Sequence, residues 1–286
     1  MMQPATTPVP NSVKKPGREL QPLPAIAARL MQLVSDDGVV FRRVAELIRA
    51  DTAFTAEVLT LANSPLLGCR QEVGSILHAV AILGLERVKS LVMTVALRDM
   101  LSTSLGIPAL HRCWRHCLAC ALVAEELAAA AWLDKDKAYT AGLLHDAGRL
   151  GLLMAYPEDY TRMLEIADAT GRDVRVCENA FFGMDHCEAG GELVGEWKLP
   201  PGFVEIAMRH HDPLPPKEHF GNLEIVQLAC RVADLLGFQV AGPAPAITLD
   251  DLRAAAPESV RDRLRSERAL MLNIAGKINA LECSLM

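Results

Sequence analysis

Residues 142–153 read Gly-Leu-Leu-His-Asp-Ala-Gly-Arg-Leu-Gly-Leu-Leu, and this run decides the class of fold. Its apolar density is that of a core helix, yet it carries an imidazole and a carboxylate side by side at His145 and Asp146. Burying either group costs several kcal/mol unless it is paired or bound to a metal. Outward from this run the same helical rhythm continues in both directions. Helices are expected around 111–131, 136–154, 158–169, 186–196, 201–210 and 222–236, with Pro and Gly at the breaks. Upstream, Ile26, Leu30, Leu33 and Val34 repeat at helical spacing. Asp51 precedes a helix it can cap, Asn63-Ser64-Pro65 stops that helix, and Leu83-Gly84-Leu85 separates two more. No β alternation and no βαβ rhythm appears, so the expectation is an all-α chain.

Composition narrows the class. The 286 residues are 51% hydrophobic with mean hydropathy +0.19, which excludes wholesale disorder. The formal charge of -6 and pI near 5.8 make nucleic acid an unfavoured partner. Arg42-Arg43 and the arginines at 261, 263, 265 and 268 interleave with acids and read as solvated faces. No apolar run reaches the roughly 18 residues that span a bilayer. The first residues lack a secretory h-region, so the expectation is a cytoplasmic protein without membrane contact. Eight cysteines in this length are not a disulfide scaffold, and Cys113, Cys117 and Cys120 lie on one helical stripe as small apolar packing.

Residues 1–18 read as a flexible proline-rich tail, 19–109 as a first helical half, 110–240 as a second, and 241–286 as a linker with a helical extension. Within that extension, Thr248-Leu-Asp-Asp opens a short helix. A long amphipathic helix is expected from Pro257 to near Leu285, packed on the body of the chain or on a second copy.

The second half holds an unusual set of polar residues on apolar helices: His116, His145-Asp146, His186, His210-His211 and Asp234. Singly, each imidazole reads as a hydrogen-bonded core histidine, and Asp146 or Asp234 as an ion pair with Arg149 or Arg231. Together, neutral imidazoles and carboxylates are ligands that suit Fe, Mn, Zn or Ni.

The order His…His-Asp…His…His-His…Asp resembles the HD superfamily of metal-dependent phosphohydrolases. The wider context is similar to its HDOD (HD-related output domain) branch. The motifs that carry the likeness are Leu23-Pro24, Ile48-Arg-Ala-Asp51, Leu61-Ala-Asn-Ser, Trp114-Arg-His116, Ala141-Gly-Leu-Leu-His-Asp-Ala-Gly, Asp185-His186, Trp197-Lys-Leu-Pro, His210-His211 and Ala233-Asp234. The resemblance covers about residues 20–238. It implies an all-helical fold in which an N-terminal half packs on an HD-like half, used as the output module of bacterial signalling proteins. It also implies that His116, His145, Asp146 and Asp234 hold one divalent metal and His186, His210 and His211 a second, with Asp146 bridging. Arg149 stands where cyclic di-GMP phosphodiesterases of the superfamily carry a phosphate-contacting lysine, so His145, Asp146 and Arg149 are the candidate catalytic groups. Three departures weigh against turnover: the Gly-Tyr-Pro loop is replaced by Asp212-Pro-Leu-Pro-Pro, Arg112 stands where some relatives add a Glu ligand, and Phe181-Phe182 falls between Asp146 and His186. The reading is a signal-transduction output module with a retained metal site of one or two ions, acting on a signalling partner or a nucleotide-like ligand. A homodimer is an open option, and a metal-dependent phosphohydrolase is the alternative.

Overall fold

The computed structural model describes residues 25–31, 38–65, 67–69, 71–214, 220–242 and 246–285. The expected tail at 1–18, the Leu23-Pro24 opening, Leu33, Val34, Pro215, Pro216 and residues 243–245 of the expected linker lie outside them. The architecture is all-α, with no strand among the described residues. In chain order the first half is α1 (Ala25–Met31), α2 (Gly38–Arg49), α3 (Thr52–Ala62), α4 (Ile76–Leu83) and α5 (Leu85–Leu101). The second is α6 (Pro108–Ala130), α7 (Lys135–Leu144), α8 (Ala147–Ala155), α9 (Pro157–Thr170), α10 (Val174–Phe182), α11 (His186–Glu196), α12 (Pro201–Arg209) and α13 (Asn222–Ala233). A widened turn over Asp234–Phe238 follows, then α14 (Leu249–Ala255), α15 (Glu258–Arg261) and α16 (Glu267–Ser284).

The local signals act as their chemistry dictates. The Asp51 carboxylate accepts the Phe54 N–H at 3.0 Å and starts α3, and Ser75 accepts the His78 N–H at 3.1 Å and starts α4. Gly84, at φ 86°, makes the corner between α4 and α5 that a side chain would strain. The two halves meet along a polar seam. Ser90 and Thr94 on α5 hydrogen-bond Thr140 and Tyr139 on α7 at 3.0 and 3.1 Å, and Arg87 bridges Glu125 at 3.0 Å and Asp136 at 3.2 Å.

Three elements differ from the sequence reading. The helix expected over 136–154 breaks after Leu144, so His145 and Asp146 form the corner between α7 and α8. Asp146 sits at φ -101°, ψ 21°, and the His145 ring bonds back to the Gly142 carbonyl at 2.6 Å. Neighbours in an unbroken helix point about 100° apart, and the corner is what turns both side chains inward. Helix α10 was not anticipated. The long C-terminal helix is two helices joined by a 3₁₀ turn over Asp262–Leu264. Its second part, α16, buries Leu270, Ile274, Ile278 and Leu281 against α6 and is held by Arg115–Glu282 at 2.8 Å and Lys277–Glu126 at 2.6 Å. The body of this chain therefore takes that face. Cys113, Cys117 and Cys120 are buried and free.

Helix α8 lies unusually close to α11. A Cβ on Gly148 would collide with the His186 carbonyl and with the backbone of Gly190. This contact brings the α7–α8 corner against His186. Gly148→Ala is therefore expected to destabilise the fold by about 3 kcal/mol or more, measured by urea unfolding against wild type. Ile274, fully buried, should cost about 2–5 kcal/mol on truncation to Ala in the same assay.

Candidate metal centre

Asp146 is buried at the centre of the second half, and neither of its carboxylate oxygens receives a hydrogen bond. Around it stand the imidazoles that the sequence singled out. His210 Nε2 and His186 Nε2 lie 3.3 and 3.4 Å from Oδ1, while His116 Nε2 and His145 Nε2 lie 3.8 and 4.0 Å from Oδ2. His211 joins through its Nε2, 3.0 Å from that of His186. Asp234 sits on the far side of His116, 3.4 Å from Nδ1. All seven residues are thus gathered from α6, the α7–α8 corner, α11, the end of α12 and the end of α13.

Four of the five rings are oriented by what Nδ1 meets. Nδ1 of His145 donates to the Gly142 carbonyl at 2.6 Å, that of His210 to Ala207 at 2.9 Å, and that of His116 to Phe238 at 3.1 Å. An imidazole that donates from Nδ1 presents Nε2 as an acceptor or ligand. The Phe238 carbonyl reaches His116 because the chain reverses at Gly237, whose φ of 85° suits glycine. Widened helical turns of this kind recur at functional sites.

The fourth ring, His186, has an acidic anchor that sequence reasoning missed. Glu178 on α10 is fully buried, and its carboxylate accepts the His186 ring Nδ1–H at 2.6 Å, the His186 backbone N–H at 2.9 Å and the Tyr160 hydroxyl. Its signal was available: a lone Glu in Val174–Phe182, bounded by the Asp173 N-cap and by Gly183 at φ 74°. Phe182 packs on the rings of Tyr156 and Tyr160, and neither Phe181 nor Phe182 lines the cavity beside the imidazoles. Arg112 is turned to the Val240 carbonyl at 3.3 Å.

Electrostatics separate the groups. Burial pushes the pKa of His145 far down, helped by the neighbouring His210 and His116, and burial likewise lowers His210 and His211. His186 moves the other way: burial and Arg149 oppose its charge, but Glu178 and Asp146 outweigh them and lift it to about 10. Burial also opposes ionisation of Asp146, yet Arg149 and the imidazoles hold its carboxyl well below the usual range. The guanidinium of Arg149 lies 3.0 Å from Asp146 Oδ2. One of its terminal nitrogens is 3.1 and 3.4 Å from the two ring nitrogens of His186. An atom that close to both cannot lie in the ring plane, because Cε1 stands between them. Arg149 therefore lies off the His186 ring plane, while Nε2 of His186 meets that of His211 at 3.0 Å.

The residues fit a metal ion. His116 and His145 bring two Nε2 atoms to 3.2 Å, and His210 Nε2 is buried without a hydrogen bond beside an equally unsatisfied carboxylate. Nitrogen lone pairs at that distance repel unless a cation or proton lies between them. Ligands about 2.1 Å from a common ion are spaced this way. Three sets of potential ligand atoms cluster within 4.8 Å: His145, Asp146 and His210; His116, His145 and Cys230; and His186, Cys187, His210 and His211. A cavity of about 470 Å³ opens beside them, lined by Arg149, Arg175, His186, His211 and Asp234 among others.

Comparison with known proteins places this arrangement. The HDOD domain family pattern matches residues 20–213. An uncharacterised protein of Treponema pallidum (strain Nichols) is 25% identical over 222 residues, 76% of this chain and 43% of that protein; the chain spans less than half the length of this curated relative. The structure of an HDOD domain protein of unknown function from Geobacter sulfurreducens matches with TM-score 0.74 and 26% identity, over 93% of this chain and 92% of that one. A Shewanella amazonensis SB2B protein provisionally named a phosphohydrolase shares the fold with TM-score 0.70 and 23% identity, over 94% and 96%. No described helix is long and apolar enough to cross a membrane.

The Glu178 anchor is directly testable. Glu178→Ala leaves the His186 ring and backbone donors and the Tyr160 hydroxyl without their acceptor, which should cost about 3–5 kcal/mol. Glu178→Gln, which keeps an acceptor, should cost less. Urea unfolding of both variants checks the order, and equal losses would contradict it.

Proposed function

The chain belongs to the HDOD domain family, and from that premise we propose that it is a signal-transduction output module built around one divalent transition metal. The observation that carries this reading is the convergence of tethered imidazoles on a buried carboxylate whose oxygens receive no hydrogen bond. Arg149 sets one cation against that carboxylate at 3.0 Å, and the facing Nε2 atoms of His116 and His145, 3.2 Å apart, are what a metal between them would satisfy. His116, His145, Asp146 and His210 would hold the ion, drawn from the Fe, Mn, Ni and Zn group that imidazole and carboxylate suit. Bound there, the metal would lock α6, the α7–α8 corner and the end of α12 together.

Arg149 distinguishes a regulatory centre from a hydrolytic one. Two-metal hydrolysis needs a second dication on the bridging carboxylate and an open position for the attacking oxygen. In this chain a fixed guanidinium already serves as the second cation, 3.0 Å from Asp146 and stacked on His186. Like charges a few ångströms apart in a buried site repel strongly. His186 and His211 then pair with each other at 3.0 Å and line the cavity. Arg149 and Arg175 give that cavity an affinity for the phosphates of a nucleotide-like ligand, although Arg175 also holds Asp185 at 2.7 Å. Occupancy of metal and ligand would set the surface presented to a signalling partner.

The alternative, a metal-dependent phosphohydrolase, keeps the same ligands and differs in metal count. Elemental analysis of the purified chain should find about one divalent transition metal per molecule. Assays with bis(4-nitrophenyl) phosphate and cyclic di-GMP should show no turnover. Two ions per chain, with turnover lost in His145→Ala and Asp146→Ala, would establish the hydrolase instead.

A further inference from the structure

The two halves leave a space between them. Where α1 and α5 meet α7, α12 and the start of α13, a cavity of about 620 Å³ opens in the seam. Small-molecule sites typically occupy roughly 300–1,000 Å³ and favour the junctions between packed units. This cavity shares no lining residue with the one beside the imidazoles, although two of its walls lead there: α7 ends at His145 and α12 at His210. Met31, Phe203 and Leu223 line it and are only partly buried, so each has apolar surface for an entering molecule to cover. The charges around it are not equivalent. Toward solvent, exposed Arg209 is held by Glu205 at 2.7 Å and Asp212 at 2.9 Å, and Glu224 accepts the Gly221 N–H at 2.7 Å. Lys89 differs. It is 5% exposed, and its ammonium donates to Glu86 at 2.9 Å, whose side chain is 26% exposed. The buried member of that pair is the cation. Attraction between charges strengthens as water is excluded, so the strongest electrostatic handle in the wall is positive.

We propose that the seam cavity binds a small organic acid with an apolar body, of the arylalkyl carboxylate kind. Its carboxylate competes with Glu86 for the Lys89 ammonium, and its body lies against Met31, Phe203 and Leu223. Such a ligand touches α5 of the first half and α12 of the second, so binding stabilises their junction. Gly202 offers a way to close the cavity without disturbing its walls. It lines the space, and a Cβ added there would meet no atom within 4 Å. A leucine at that position would stand in the room the ligand needs.

Calorimetric titration of the full chain with 4-phenylbutyrate and with its neutral amide, 4-phenylbutyramide, tests the assignment. The acid should bind about 10-fold or more tightly than the amide, the difference a hydrogen bond to a charged group makes. Acid binding should be lost in Gly202→Leu, with the melting temperature of the free protein no lower than wild type. Lys89→Met should weaken the acid to the level of the amide. Glu86→Gln, which removes the competing carboxylate, should tighten the acid by about 3–10-fold and leave the amide unchanged. Should Lys89→Met fail to fold, the acid-to-amide ratio and Gly202→Leu still decide. Acid that binds no better than amide, acid binding that survives Gly202→Leu, or no detectable acid binding would overturn the proposal.

Discussion

A buried carboxylate governs the second half of this molecule. Asp146 is almost entirely withdrawn from water, yet neither oxygen is hydrogen-bonded. Such a group is tolerated only where positive charge is brought to it. Arg149 and the His186 ring bring that charge, and three further buried imidazoles turn Nε2 toward the same carboxylate. Each cationic or metal-ligating group has its own support. Carbonyls of Gly142, Ala207 and Phe238 tether His145, His210 and His116, Glu178 tethers His186, and Arg149 stacks on the His186 face.

The backbone features that look like local irregularities serve that carboxylate. The corner at His145-Asp146 interrupts what would otherwise be one helix and turns two adjacent side chains inward. Gly148 lets α8 approach α11 at backbone distance, which sets Asp146 beside His186. Gly237 reverses the chain after α13 and carries a carbonyl to His116. A side chain at Gly148 or a different φ at Gly237 would move the imidazoles around Asp146 although neither glycine carries a ligating group. The first half contributes through the seam of Ser90, Thr94 and Arg87 on α7, the helix that leads into the corner.

Arg149 gives the centre its particular character. It places a permanent cation 3.0 Å from Asp146 and 3.1 Å from His186 Nε2. A guanidinium cannot be deprotonated in a protein, so the charge beside Asp146 is fixed at any ordinary pH. The same residue lines the cavity beside the imidazoles and so connects that cavity by direct contact to the carboxylate beneath it.

The sequence by itself determined the helical class, the capping of α3 and α14, and the residues that gather at the centre. These are legible because periodicity, caps and buried polar groups are local or compositional signals. Tertiary structure alone decided which ring nitrogen of His116 faces Asp146 and which faces Asp234. That choice depends on the Phe238 carbonyl, 122 residues further along the chain. It decided Glu178 too: a single Glu on a short helix is ordinary until its partners at His186 and Tyr160 are folded against it. The break at His145-Asp146 was equally hidden, because the apolar pattern of 142–153 is continuous and only packing against α11 sets the corner. Side-chain type is written in the chain, but the direction in which a donor points is set by contacts between distant elements.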